Sequence, residues 1–205
     1  VLSRIVKGFV MQQIVEFVLE LDKLKAVTRK TRPLGQDRYE NSAEHSWQIA
    51  MFASSLAHYA ETPVNIDRVI AMLLVHDIGE IDTGDTMVYV TEGQAERKLA
   101  ERVAVERIFG LLPDDHRDKF MSLWQEFEDA ETPEARFAHA ADRAMPVLLN
   151  LANEGQSWRE NGITHARVVA RIGPPIQEGC PALWSYLEAQ LNEAEQRGWY
   201  GAKQA

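Results

Sequence analysis
The chain has 205 residues, 45% hydrophobic and 26% charged, which is enough to bury a core as one domain, residues 1–205. Its 22 basic and 31 acidic residues leave a net charge of −9. That charge argues against a nucleic-acid partner or an anionic-membrane surface, while leaving room for a small anionic ligand. The single cysteine, Cys180, excludes an intrachain disulfide and suits a reducing compartment. No secretory signal and no apolar run of roughly 18 residues is found, so no membrane is expected and the cytoplasm is the expected location.

Taken in chain order, the sequence reads as helix after helix, with no convincing strand. The first helix, Ile5–Leu24, has Phe9, Ile14, Phe17, Val18 and Leu21 on a broad apolar face. A loop follows to Ser42, broken by Pro33 and Gly35. Ser42 is the expected N-cap of a helix to about Ala60, and Asn65 that of a helix from Ile66 to about Ile78. Gly79 falls where that helix should stop. The long segment "GEIDTGDTMVYVTEGQ" reads as a loop of the functional kind. Helices are then predicted over Gln94–Phe109, Asp114–Asp129, Pro133–Asn150 and His165–Ile172. "GPP" is read as a breaker, and Pro181–Arg197 as the last helix. The polar stretch "NEGQSWRENGIT" is a connection or a short helix. The expected fold class is therefore all-α, with about seven or eight helices.

Polar residues intrude on three of the apolar faces. His45 heads the stripe His45, Ile49, Phe52, Leu56. His76 and Asp77 leave the end of "VIAMLLV", and Asp142 interrupts Ala138, Met145 and Leu149. Each has a bland explanation: a hydrogen-bonded core histidine, a helix end meeting water, or a salt bridge to an arginine elsewhere. Arg143 is expected to point away around the helix. Trp47, Trp124 and Trp158 are read as core aromatics. Together, however, two imidazoles and two carboxylates make a donor set suited to one divalent transition metal ion: Mn, Co, Fe, Zn or Ni.

The phrases "YENSAEHSWQIAMFA", "LLVHDIGE…GDT" and "AHAADR" resemble the HD-domain metal-dependent phosphohydrolases, in particular the branch of 5′-deoxynucleotidases and small HD-domain proteins. The resemblance covers roughly Leu24 to Trp158, with the terminal helices packed on that metal core. It implies that His45, His76, Asp77 and Asp142 are the metal ligands. It implies that Glu80 and Asp85 lie beside the metal and serve catalysis, and that Arg29 binds phosphate. Lys30 stands where that branch can carry a tryptophan flanking the nucleotide, a departure that bears on sugar preference and leaves the phosphohydrolase chemistry untouched.

The expected activity is hydrolysis of a phosphorylated small molecule, most simply a nucleoside 5′-monophosphate. Asp85 orients or deprotonates water, and Glu80 shares that role or holds a neighbouring group. Thr83 is a substrate contact or a loop hydroxyl serving its own backbone. Relatives often pair, and the terminal helices carry spare apolar residues, so a homodimer is expected. Three alternatives stand beside this reading: an HD-fold phosphodiesterase or guanosine-polyphosphate hydrolase, a metal-containing nucleotide-binding module without catalysis, and a metal-free helical interaction protein.

Overall fold
The computed structural model describes residues 2–201, with side chains from residue 8 onward. The extreme ends of the expected 1–205 domain lie outside the described residues. Eight long α-helices carry the fold: α1 Leu2–Leu21, α2 Ser42–Leu56, α3 Ile66–Val75, α5 Gln94–Phe109, α6 Asp114–Asp129, α7 Pro133–Ala152, α9 His165–Gly179 and α10 Pro181–Gln196. Two short ones, α4 Glu80–Thr83 and α8 Gln156–Glu160, lie in the predicted loops. Among the described residues there is no strand, only an antiparallel bridge pairing Thr28 with Asn41. No described helix is long and apolar enough to cross a membrane.

α7 is the central element. It packs against α2, α3, α6, α9 and α10. Its buried alanines, Ala135, Ala138, Ala140, Ala141 and Ala144, let neighbouring backbones come close. Phe109, Phe137 and Trp158 fill the space around it and are almost fully buried, each contributing on the order of 2–3 kcal/mol of apolar burial. Trp124 is buried as expected, but Trp47 is 64% exposed and is not a core residue.

Three local expectations are corrected. Asn41, not Ser42, caps α2: its side chain accepts from the Glu44 N–H at 3.0 Å, and the Glu44 carboxylate accepts from the Asn41 N–H at 3.2 Å. This capping box releases the Ser42 hydroxyl for other work. The helix then ends at Leu56 and continues as a 3₁₀ turn, Ala57–Tyr59. α3 stops at Val75, so His76 and Asp77 follow its last turn. Gly79 keeps an ordinary φ of −58° and is small for a different reason: a Cβ there would lie 3.1 Å from the Glu101 carbonyl of α5.

The third correction concerns "GPP". α9 runs straight through Pro174 and Pro175 to Gly179. The prolines remove two backbone N–H donors, but the buried face of Val168, Ile172 and Ile176 is satisfied only if the helix continues. At Gly179 a Cβ would stand 2.2 Å from the Arg136 carbonyl, so only glycine lets α9 approach the start of α7 this closely.

Candidate metal centre
Three helices deliver the intruding polar groups to one place. His45 sits in the first turn of α2, His76 just past α3, and Asp142 in the middle of α7. All three are buried, and each offers a donor atom within 4.8 Å of the other two. His45 Nε2 is 2.9 Å from Asp142 Oδ1, and His76 Nε2 is 3.8 Å from the same oxygen. His76 Nδ1 lies 2.9 Å from the Leu73 carbonyl. A carbonyl can only accept, so Nδ1 carries a proton and Nε2 turns inward. That Nε2 is buried and forms no well-aligned hydrogen bond among the described residues, although Asp77 Oδ1 stands 3.0 Å from it. An orphaned imidazole nitrogen beside a second imidazole and a carboxylate fits a divalent transition metal ion. His45, His76 and Asp142 are positioned to bind one.

Asp77 stands at the border of this group. Its Oδ1 is 3.0 Å from His76 Nε2 and its Oδ2 accepts from Arg29 Nη1 at 3.0 Å. Arg29 also reaches Asp85 Oδ1 at 3.3 Å and Glu40 Oε1 at 3.5 Å. Gly84, at φ +75°, turns the chain so that Asp85 returns toward the centre. Glu80 is held from the other side, with Ser42 Oγ donating to its Oε2 at 2.6 Å. Thr83 donates to the Gly79 carbonyl at 3.3 Å and is not among the residues lining the cavity.

Glu40, which no sequence pattern marks, and Arg143, expected to point away, both matter here. Glu40 is 1% exposed and its Oε1 faces His45 Nδ1 at 4.0 Å. Arg143 does not point away: its Nε is 3.6 Å from Asp142 Oδ2. Glu40 and Ser42 precede the periodic part of α2, so no apolar face marked them. The expectation that Arg143 points away rests on neighbouring helix positions lying about 100° apart and neglects the reach of its side chain.

One cavity of about 180 Å³ joins His76, Asp77, Glu80, Asp85 and Asp142 to Arg29, Lys30 and Arg143. Met87, Val88 and Tyr89 roof it, and Pro146, Val147 and Trp158 form an apolar wall. The roof is tied down through its backbone. Arg171 donates to the Val88 carbonyl at 3.0 Å, Arg167 to that of Tyr89 at 3.0 Å, and Arg97 to that of Val90 at 2.7 Å.

Comparison with known proteins agrees with this geometry. The family model described as HD domain matches residues 21–184. The chain belongs to the HD domain family. A solved structure of a "predicted metal-dependent phosphohydrolase" from Magnetospirillum magnetotacticum MS-1 is 43% identical, with a TM-score of 0.88 over 95% of this chain and all of that one. The 5′-deoxynucleotidase HDDC2 of Danio rerio is 30% identical over 141 residues, covering 67% of this chain and 68% of the relative. The protein of the same name from Xenopus laevis is 28% identical over 144 residues, 70% of each.

Within this HD domain the buried charges reinforce one another. Burial opposes the Arg29 charge, yet Asp77, Asp85, Glu80 and Asp142 hold its pKa above the ordinary value. Burial, then the Arg29 charge, pushes His45 down to about 4. Burial also opposes protonation of His76, but Asp77 and Asp142 outweigh it and raise the pKa to about 10. Burial works against the Asp142 anion, yet Arg143 and both imidazoles hold it well below the usual carboxylate range. Glu80 is pushed up to about 9 by burial and Asp77, and Glu40 to about 7, chiefly by burial. The HD-domain centre thus attracts positive charge, as a proton or as a cation.

Proposed function
We propose that this protein is a metal-dependent phosphohydrolase that cleaves phosphate monoesters, with nucleoside 5′-monophosphates as its substrate class. The observation that carries the reading is the shared cavity: Asp85 and Glu80 line the same space as His76, Asp77 and Asp142. A binding module without catalysis has no need of two further carboxyls at that position. The relatives named 5′-deoxynucleotidase support a nucleotide substrate.

His45, His76, Asp77 and Asp142 would hold the ion, which would be one of Mn, Co, Fe, Zn or Ni by the chemistry of two imidazoles and two carboxylates. Such an ion would supply Lewis acidity, acidifying water and polarising a phosphoryl oxygen. Asp85 accepts the proton of the attacking water; burial raises its pKa, and with it its basicity. Ser42 fixes one oxygen of Glu80 and leaves the other free to orient water or the leaving oxygen. Arg29 offers its planar fork to the phosphate. The roof of Met87, Val88 and Tyr89 shields the cavity from bulk water.

The protein is a single HD domain over residues 1–205 and acts as a homodimer in the cytoplasm. The dimer is supported by the exposed apolar stripe Met11, Val15, Val18 and Leu19 on α1, each 47% exposed or more. The cytoplasm is supported by one buried, unpaired cysteine.

The test is phosphate release by metal-reconstituted protein across ribo- and deoxyribonucleoside monophosphates. Release that stops on chelation and returns with metal is expected. Metal-loaded protein that frees no phosphate from any of them overturns the proposal.

A further inference from the structure
We infer that Arg143 is a second anion-binding arginine of the site, contacting the phosphoryl group from the α7 side; this rests on the phosphohydrolase reading above. Among the described residues the cavity is lined by six acidic side chains, Asp77, Glu80, Asp85, Glu101, Glu128 and Asp142, and by three Lys or Arg side chains. A phosphate dianion entering it needs positive charge that those carboxylates have not already claimed.

Arg29 is heavily committed. Its guanidinium faces Asp77, Asp85 and Glu40 at 3.0, 3.3 and 3.5 Å. Lys30 lies over the Tyr39 ring, its Nζ 5.8 Å from the centroid. Arg143 is different. Among the described residues its one carboxylate partner within 4.0 Å is Asp142, with Oδ2 at 3.6 Å, beyond hydrogen-bond length. It donates no hydrogen bond to any described residue, so all five of its N–H donors remain available to a ligand.

The position suits the task. Asp142 turns Oδ1 toward the two imidazoles and Oδ2 toward Arg143. The guanidinium therefore stands directly beside the carboxylate that faces the ion, on its far side from the histidines. A phosphoryl group drawn to the centre comes within reach of a planar fork suited to two of its oxygens. As the P–O bond breaks, its electron pair leaves with the ester oxygen while the charge of the transferring group stays spread over its other oxygens, and an arginine already in place holds those oxygens.

The alternative is that Arg143 only balances Asp142, and the two roles separate experimentally. Wild type, Arg143→Lys and Arg143→Met are loaded with manganese, and three quantities are measured: inorganic-phosphate affinity by calorimetry, manganese affinity by equilibrium dialysis, and Tm. Arg143→Met should weaken phosphate binding by about 10- to 100-fold, the scale of a lost charge-assisted hydrogen bond, with manganese affinity held or increased. Arg143→Lys should fall between, and guanidinium ion added to Arg143→Ala should restore part of the phosphate affinity. Unchanged phosphate affinity overturns the inference, as does a loss that merely follows manganese loss or unfolding, or a loaded wild type that binds no phosphate. Because phosphate binding needs no turnover, this result stands apart from failure of the substrate panel.

Discussion

Ser42 Oγ and Glu80 Oε2 meet at 2.6 Å and join the first turn of α2 to α4. The bond exists because Asn41 has taken over the capping of the helix. It holds a carboxyl that burial and Asp77 push up to about 9. A carboxyl whose folded pKa exceeds its ordinary 4.5 adds stability below that value and loses it as pH rises through the folded one. Glu40, pushed up to about 7, acts in the same direction. With metal chelated, Tm should therefore fall as pH rises from about 5 to 9. Glu80→Gln should flatten that fall, and added manganese should raise Tm most at the alkaline end. Thermal scans across this range check it, and a Tm that climbs with pH refutes it.

The donor set predicts how variants divide. Asp142→Ala and Asp77→Ala should lose both bound metal and turnover. Asp85→Ala should keep the metal and lose turnover by about 10²- to 10⁴-fold, the usual contribution of a positioned base. Elemental analysis beside a phosphate-release assay separates the two classes. A fully active Asp77→Ala protein defeats that ligand assignment.

The α2 cap carries a stability prediction. Asn41→Ala should cost about 1 kcal/mol, because the Glu44 N–H loses its acceptor and the capping box opens. Denaturant unfolding monitored by circular dichroism measures it. No change in the midpoint would show that the box contributes nothing.

Gly179→Ala should cost more, about 1–3 kcal/mol from overpacking, because the new methyl is directed at the Arg136 carbonyl 2.2 Å away. Gly8→Ala is the control. It lies in α1 with nothing within 4 Å of the added carbon, and should stabilise by about 0.5–1 kcal/mol through helix propensity. Equal effects of the two would contradict the close approach of α9 to α7.

On the proposed homodimer, Val15→Glu combined with Leu19→Glu should leave a monomer of intact secondary structure. Light scattering behind size exclusion reads the mass directly. A mass unaltered by two charges on that stripe rules out α1 as the contact.

The sequence was most legible where breakers flank the elements. α5 and α6 begin and end as predicted, with Gly93 and Gly110 around one and Pro113 before the other. The trio positioned to bind a metal was legible because each member stands on, or at the end of, an apolar stripe. The "GPP" segment misled because the proline penalty is local whereas the burial of Ile172 and Ile176 is tertiary. Trp47 misled because size alone does not place a tryptophan inside. Glu40, Ser42 and Arg143 escaped because what they touch is distant in sequence or lies off the helix face that carries the pattern.

The straps grip main-chain oxygens of Val88 and Tyr89 in the cavity roof and of Val90 beside it, not their side chains. Any amino acid at those three positions presents the same carbonyl to Arg171, Arg167 and Arg97. The ceiling can therefore be re-tiled without shifting its beams: new side chains at Val88 and Tyr89 would change what the chamber admits while their backbone stays strapped in place.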